Sequence, residues 1–169
     1  MLDYGTADSH TLTFGDDATE TLNLLRATLG GPDTDTGWQT DDIETCSGSQ
    51  TRRVTWGDLE VVFSELDESG AQGGVARSFE QWFVDSPGTV PPGLVTLERV
   101  GVGSLVADLK FNFPDLEISH PRPGDKIGFF TTESGDDNLI AGFTTDTTDD
   151  SKVTQMWAGN ACQRLADAD

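Results

Sequence analysis

The chain has 169 residues, with 30 acidic against 10 basic side chains, a formal charge of -20 at pH 7, and 35% hydrophobic residues. That length suits one domain, or two small units sharing a core. No apolar run approaches the ~18–20 residues of a membrane span, so a soluble chain is expected. The charge excludes partners rich in phosphate or anionic lipid, which such a chain repels at long range, so no nucleic acid is expected.

The lysines are Lys110, Lys126 and Lys152. A solvated acidic surface suited to high salt accounts for the imbalance, and a cationic partner steered by the field is the sharper alternative. Cys46 and Cys162 sit one in each half. Either they form a single disulfide closing a long loop, which contributes ~4–5 kcal/mol in the chain-entropy model, or they are two buried thiols.

Residues 1–11, polar and without periodicity, read as a loose lead-in, with neither the basic nor the apolar part of a signal peptide. Phe14-Gly15-Asp16 then introduces Ala18, Leu22, Leu25 and Leu29, the spacing of one helix face. The helix is expected from Asp16 or Asp17 to Leu29, with the aspartates capping it and Gly30-Gly31-Pro32 ending it. From Asp33 to Gln50 the chain reads as a polar, turn-rich loop with Trp38 folding onto the core. Its acids, Asp33, Asp35, Asp41, Asp42 and Glu44, lack the third acidic position and closing Glu of a calcium loop, so no metal site is expected.

Three strands are expected next: Thr51–Trp56, alternating with Arg52, Val54 and Trp56 on one side; Leu59–Leu66, apolar on both faces at Val61-Val62-Phe63; and Val75–Val84. Ser86-Pro-Gly and Pro91-Pro92-Gly93 mark a hinge. Val102-Gly103-Ser104 then repeats the earlier helix start. Ser104 is the expected cap, Val106, Leu109 and Phe113 form the buried stripe, and Pro114 stops the helix. Strands follow at Leu116–Ser119, Lys126–Thr131, Leu139–Thr144 and Val153–Ala158, and the tail from Leu165 reads as frayed.

The pattern predicts an α+β fold of two related halves, 12–86 and 87–163, with a tail at 164–169. Each half is a helix followed by a three- to four-stranded antiparallel meander, the helices on one face of a shared sheet of about eight strands. Catalytic constellations are missing. His10 and His120 adjoin no nucleophile, no zinc-type spacing of His or Cys occurs, and Gly101-Val-Gly103-Ser104 lacks the third Gly and Lys of a phosphate loop. Glu80, between Phe79 and Gln81-Trp82 in a strand, is the one acid whose setting could raise its pKa, and a solvent-facing strand position explains it equally well. No catalytic residue and no cofactor are assigned.

The strand tryptophans Trp56, Trp82 and Trp157, with Arg52 and Arg53, are the candidate binding residues, since aromatic and Arg side chains dominate interaction hot spots. The alternative is that these tryptophans, with Phe63, Phe83, Phe129 and Phe143, fill the core.

The residues Phe14-Gly15 with Ala18, Leu22 and Leu25, and Val102-Gly103 with Val106 and Leu109, carry a resemblance to the β-lactamase inhibitor proteins. The same order is similar to the small domains of outer-membrane assembly lipoproteins, which use one such unit. The terminal Val153–Gly159 with Cys162 resembles the closing strand of exported actinobacterial domains. The inhibitors place a disulfide inside each repeat, whereas each half here carries one Cys. What the resemblance implies is a non-enzymatic exported module, extracellular or in the cell envelope and monomeric, whose sheet faces outward and binds a protein or envelope partner. The runner-up is a hydrolase or carbohydrate-active domain with a carboxylate pair in the cleft between halves; a cytoplasmic location is the alternative address.

Overall fold

The computed structural model describes residues 12–40, 49–67, 75–85, 95, 96, 98–132 and 140–159. Helix α1 spans Ala18–Leu29. The Asp17 carboxylate accepts from the Thr19 and Glu20 amides at 2.8 and 3.0 Å, filling two of the donors that a helix start leaves open. Gly30 ends the helix at φ 87°, a conformation costly for any residue with a Cβ.

Helix α2 is shorter, Val106–Asn112, and its N-cap is Leu105, one residue beyond the Ser104 expected. A leucine has no acceptor, so the cap is one-sided: the Asp108 carboxylate accepts from the Leu105 amide at 3.1 Å. Ser104 Oγ accepts instead from the Gly101 amide at 3.0 Å and tightens the turn before the helix. The helix closes at Phe113, because the ring of Pro114 excludes the helical conformation in front of it.

Among the described residues there are eight strands: β1 (Thr34–Asp35), β2 (Gln50–Trp56), β3 (Leu59–Asp67), β4 (Val75–Val84), β5 (Leu116–Ser119), β6 (Gly128–Thr132), β7 (Ile140–Thr144) and β8 (Val153–Gly159). They form one antiparallel sheet in the order β1-β2-β3-β4-β8-β7-β6-β5. Strand β1 lies inside the segment expected to be loop. Two residues carry no readable period, and they are held by pairing with Thr55 and Val54 and by a hydrogen bond between the Thr34 and Thr55 hydroxyls at 2.7 Å. The expected hinge, residues 86–94, lies outside the described residues apart from its approach at Asp85.

The two helix starts use the same bonds. The Gly15 amide donates to Phe79 O at 2.8 Å and the Phe79 amide to Asp16 O at 2.8 Å, while Gly103 donates to Val153 O and Val153 to Ser104 O, each at 2.9 Å. Both glycines sit at φ 93°. Just ahead of them, the Thr13 amide bonds the Asp16 carboxylate and the Gly101 amide bonds the Ser104 hydroxyl, at 2.8 and 3.0 Å. In each case the receiving strand bulges at the next residue, Glu80 in β4 and Thr154 in β8, which the register leaves without an opposite number.

Burial divides the sheet side chains by parity. The larger cluster gathers Val54, Trp56, Leu59, Val61, Phe63, Phe79, Trp82, Val84, Phe130, Ile140, Val153, Met156 and Ala158 with Leu22 and Leu25 of α1, Leu109 of α2 and Phe113 at its C-cap. The smaller one, of opposite parity, is Val62, Phe83, Ala141 and Trp157, with Phe129 and Phe143 packed against it. Apolar residues on both faces of β3 at Val61-Val62-Phe63 therefore serve two clusters.

Candidate functional site

The candidate binding residues separate. Trp56 and Trp82 are 3% and 2% exposed and belong to the larger cluster, so neither offers surface to a partner. The Trp56 indole N–H donates to Gly30 O at 3.0 Å, tying β2 to the end of α1. The Trp82 indole nitrogen is buried without an acceptor among the described residues, and Trp82 lines a small apolar cavity with Val84, Val95, Val100 and Met156 among others.

Arg52 points toward β1. Its guanidinium grips Asp35 in a two-pronged contact, Nε to Oδ1 at 2.8 Å and Nη2 to Oδ2 at 2.6 Å, and Arg26 of α1 reaches the same Oδ2 at 3.0 Å. The hydrogen bond from Arg52 holds the Asp35 carboxyl below the usual carboxylate range; partial burial opposes it, and the Gly37 amide and the Arg26 charge reinforce it. This network fastens β1 to β2 and α1. Arg53 projects from the other side of β2 and pairs with Glu60 at 3.0 Å. Arg77 pairs with Glu65 at 2.7 Å and lies 4.3 Å over the Trp38 ring, so Trp38 caps the partly buried margin of the core, as its place in the loop suggested.

Trp157 stands apart from the other tryptophans. It belongs to the smaller cluster with Phe129 and Phe143, and the three ring centroids are separated by 5.5 Å (Phe143–Trp157), 5.6 Å (Phe129–Phe143) and 6.3 Å (Phe129–Trp157). Interplanar angles of 34° to 54° tilt the rings against one another, at centroid separations within the range of aromatic pairs. Trp157 is 8% exposed, whereas Phe129 and Phe143 are half-buried. Strand pairing creates the group: Phe129 lies opposite Phe143, and Ala141, two residues from Phe143, lies opposite Trp157. Parity alone marks Phe129 and Phe143 as partners of Trp157, but only with the register of β6, β7 and β8 in hand.

The remaining singled-out groups serve the scaffold. Glu80 accepts from the Ser78 hydroxyl within its own bulged strand. The two nitrogens of His120 contact Ile127 O at 3.2 Å and the Thr147 hydroxyl at 3.3 Å, joining two loops. Asp33 accepts from the Gly57 amide at 2.6 Å, so the first two acids of the acidic segment 33–44, Asp33 and Asp35, are engaged by the protein itself. Asp41, Asp42, Glu44, His10, Cys46 and Cys162 lie outside the described residues. Among the described residues no group of three or more His, Cys, Asp or Glu side chains converges as a metal site, and no helix is long and apolar enough to cross a membrane. Comparison with family models, with curated proteins and with solved structures finds no match to this chain.

Proposed function

We propose that the chain is a non-enzymatic binding module of an exported protein, recognising a protein or cell-envelope partner through the sheet face that carries Phe129, Phe143 and Trp157. The observation that supports it most is the ring cluster itself: three aromatic side chains packed with tilted rings, two of them half-buried, on the parity opposite to the larger core. Aromatic groups held rigid by their neighbours lose little freedom on binding, which suits them as anchors.

In this reading the chain is two copies of one helix-plus-meander unit, joined where β4 meets β8. The shared bonding of Gly15-Asp16 and Gly103-Ser104 to the sheet favours it. Both helices then pack on the larger cluster, and on the other face the half-buried Phe129 and Phe143 are the rings a partner reaches, in keeping with the resemblance to tandem helix-plus-meander proteins.

The test is affinity capture from separated envelope and soluble fractions of the producing cells. Baits are the wild-type chain, Phe143→Asp, and Phe111→Asp as a control, since Phe111 of α2 is 86% exposed away from the ring cluster. A partner held by wild type and Phe111→Asp but lost with Phe143→Asp supports the reading. A partner indifferent to Phe143→Asp, or turnover in glycosidase and esterase assays, overturns it.

A further inference from the structure

We infer that the ring face takes a lysine- or arginine-bearing extended segment of a basic protein partner, with Glu117 as the anionic contact beside the rings. This rests on the binding reading above and adds the chemistry of the occupant. Glu117 lies in β5, the last strand of the sheet, opposite Thr131 of β6; its neighbour Ser119 lies opposite Phe129. Alternation puts Glu117 and Ser119 on the same face as Phe129 and Thr131, because Leu116 and Ile118 pack on the larger cluster. Glu117 and Phe129 are therefore diagonal neighbours on one face, within reach of a single side chain laid across both.

Glu117 is exposed and makes no ion pair among the described residues, whereas Glu60, on the same face at the far side of the sheet, is taken by Arg53. A carboxylate beside an aromatic cluster is what an ammonium or guanidinium group seeks: the carboxylate supplies charge and the rings supply their negative quadrupole. The formal charge of -20 draws such a segment in from a distance and repels acidic competitors. An extended segment also fits the place, since β5 is the edge strand among the described residues and alternate residues of a chain lying along it share the ring face.

The test uses the full chain and a short fluorescein-labelled peptide of alternating lysine and valine, read by fluorescence anisotropy at moderate salt, with a glutamate–valine peptide as counter-probe. Glu117→Gln and Phe129→Leu each weaken binding about two- to fivefold, the range of exposed cation–π and ionic contacts. Glu98→Gln removes one equally exposed charge elsewhere and leaves affinity unchanged. Near-UV circular dichroism confirms that each variant keeps the wild-type fold. Equal affinity of Glu117→Gln and wild type, equal loss with Glu98→Gln, or equal binding of the glutamate peptide overturns the inference. A neutral or acidic partner captured in a Phe143-dependent way overturns it too while leaving the binding reading intact.

Discussion

Phe83 of β4 and Trp157 of β8 lie directly opposite each other at the centre of the sheet, flanked by Trp82 opposite Ala158 and Val84 opposite Met156. This is the seam between the first four strands and the last four. Phe83 is fully buried and Trp157 nearly so, on the face opposite the larger core. The seam is therefore packed on both sides: Trp82, Val84 and Met156 below, Phe83 and Trp157 above.

Truncating either partner of that pair weakens the seam. Phe83→Ala is expected to cost about 3–5 kcal/mol, the range for deleting a buried aromatic. Trp157→Phe keeps most of the ring contact and costs less. Urea unfolding with an unchanged slope and a lowered midpoint is the measurement.

Gly15 and Gly103, both at φ 93° with open space where a Cβ would go, differ from an ordinary residue in backbone conformation alone. Gly15→Ala and Gly103→Ala should each destabilise by about 1–2 kcal/mol from the left-handed penalty. Gly31→Ala, with open space and no such φ, is the neutral control. Equal effects at the two helix starts are the result expected of a shared unit.

Gly142 fails for a different reason. A Cβ there would meet Gln155 O and lie 2.6 Å from the Phe130 ring, which fills the space opposite. Gly142→Ala should cost about 1–3 kcal/mol by overpacking. Pairing it with Phe130→Leu recovers part of the loss, because the two sites share one volume.

The pH dependence follows from Asp35 and Glu65. Arg52 lowers the carboxyl of the first and Arg77 that of the second, through hydrogen bonds. A folded-state pKa below the unfolded one gives stability that is present above the unfolded value, near ~4, and lost as pH falls through the folded value. Both carboxylates sit in ion pairs at the margin of the fold with partly exposed arginine partners, so the effect is modest and screened by salt. Asp35→Asn should flatten the acid limb of the stability curve and leave the neutral-pH region lower by no more than ~1 kcal/mol.

Excess acid makes a separate demand on salt. With a charge of -20, self-repulsion falls as the Debye length shrinks from about 30 Å at 0.01 M to about 3 Å at 1 M ionic strength. Thermal unfolding should shift upward across that range; a midpoint independent of salt contradicts the reading of the acidic surface.

Much of this architecture is legible in the residues. Helix α1, strand β4 and strand β5 fall at or within a residue or two of their expected bounds, because each is an apolar-bearing run with a Gly, Pro or Asp at its ends; the bulge at Glu80 inside β4 carries no such mark. Strand β1 is not legible, since a two-residue strand is made by Arg26, Arg52 and Thr55 from elsewhere. The cap of α2 falls on Leu105 because Ser104 is used one step earlier, and the Asp108 that does the capping lies three residues inside. Alternation places Trp56 and Trp82 on one parity and Trp157 on the other, but which parity meets the larger core depends on tertiary packing.

The most direct measurement is amide and aromatic NMR of the isotopically labelled chain with and without the partner retained by capture. Chemical-shift changes concentrated at Phe129, Phe143 and Trp157 and along β5–β8 are expected. Changes confined to α1 and α2, or to the Asp35–Arg52 edge, with the three rings undisturbed, contradict recognition through this face.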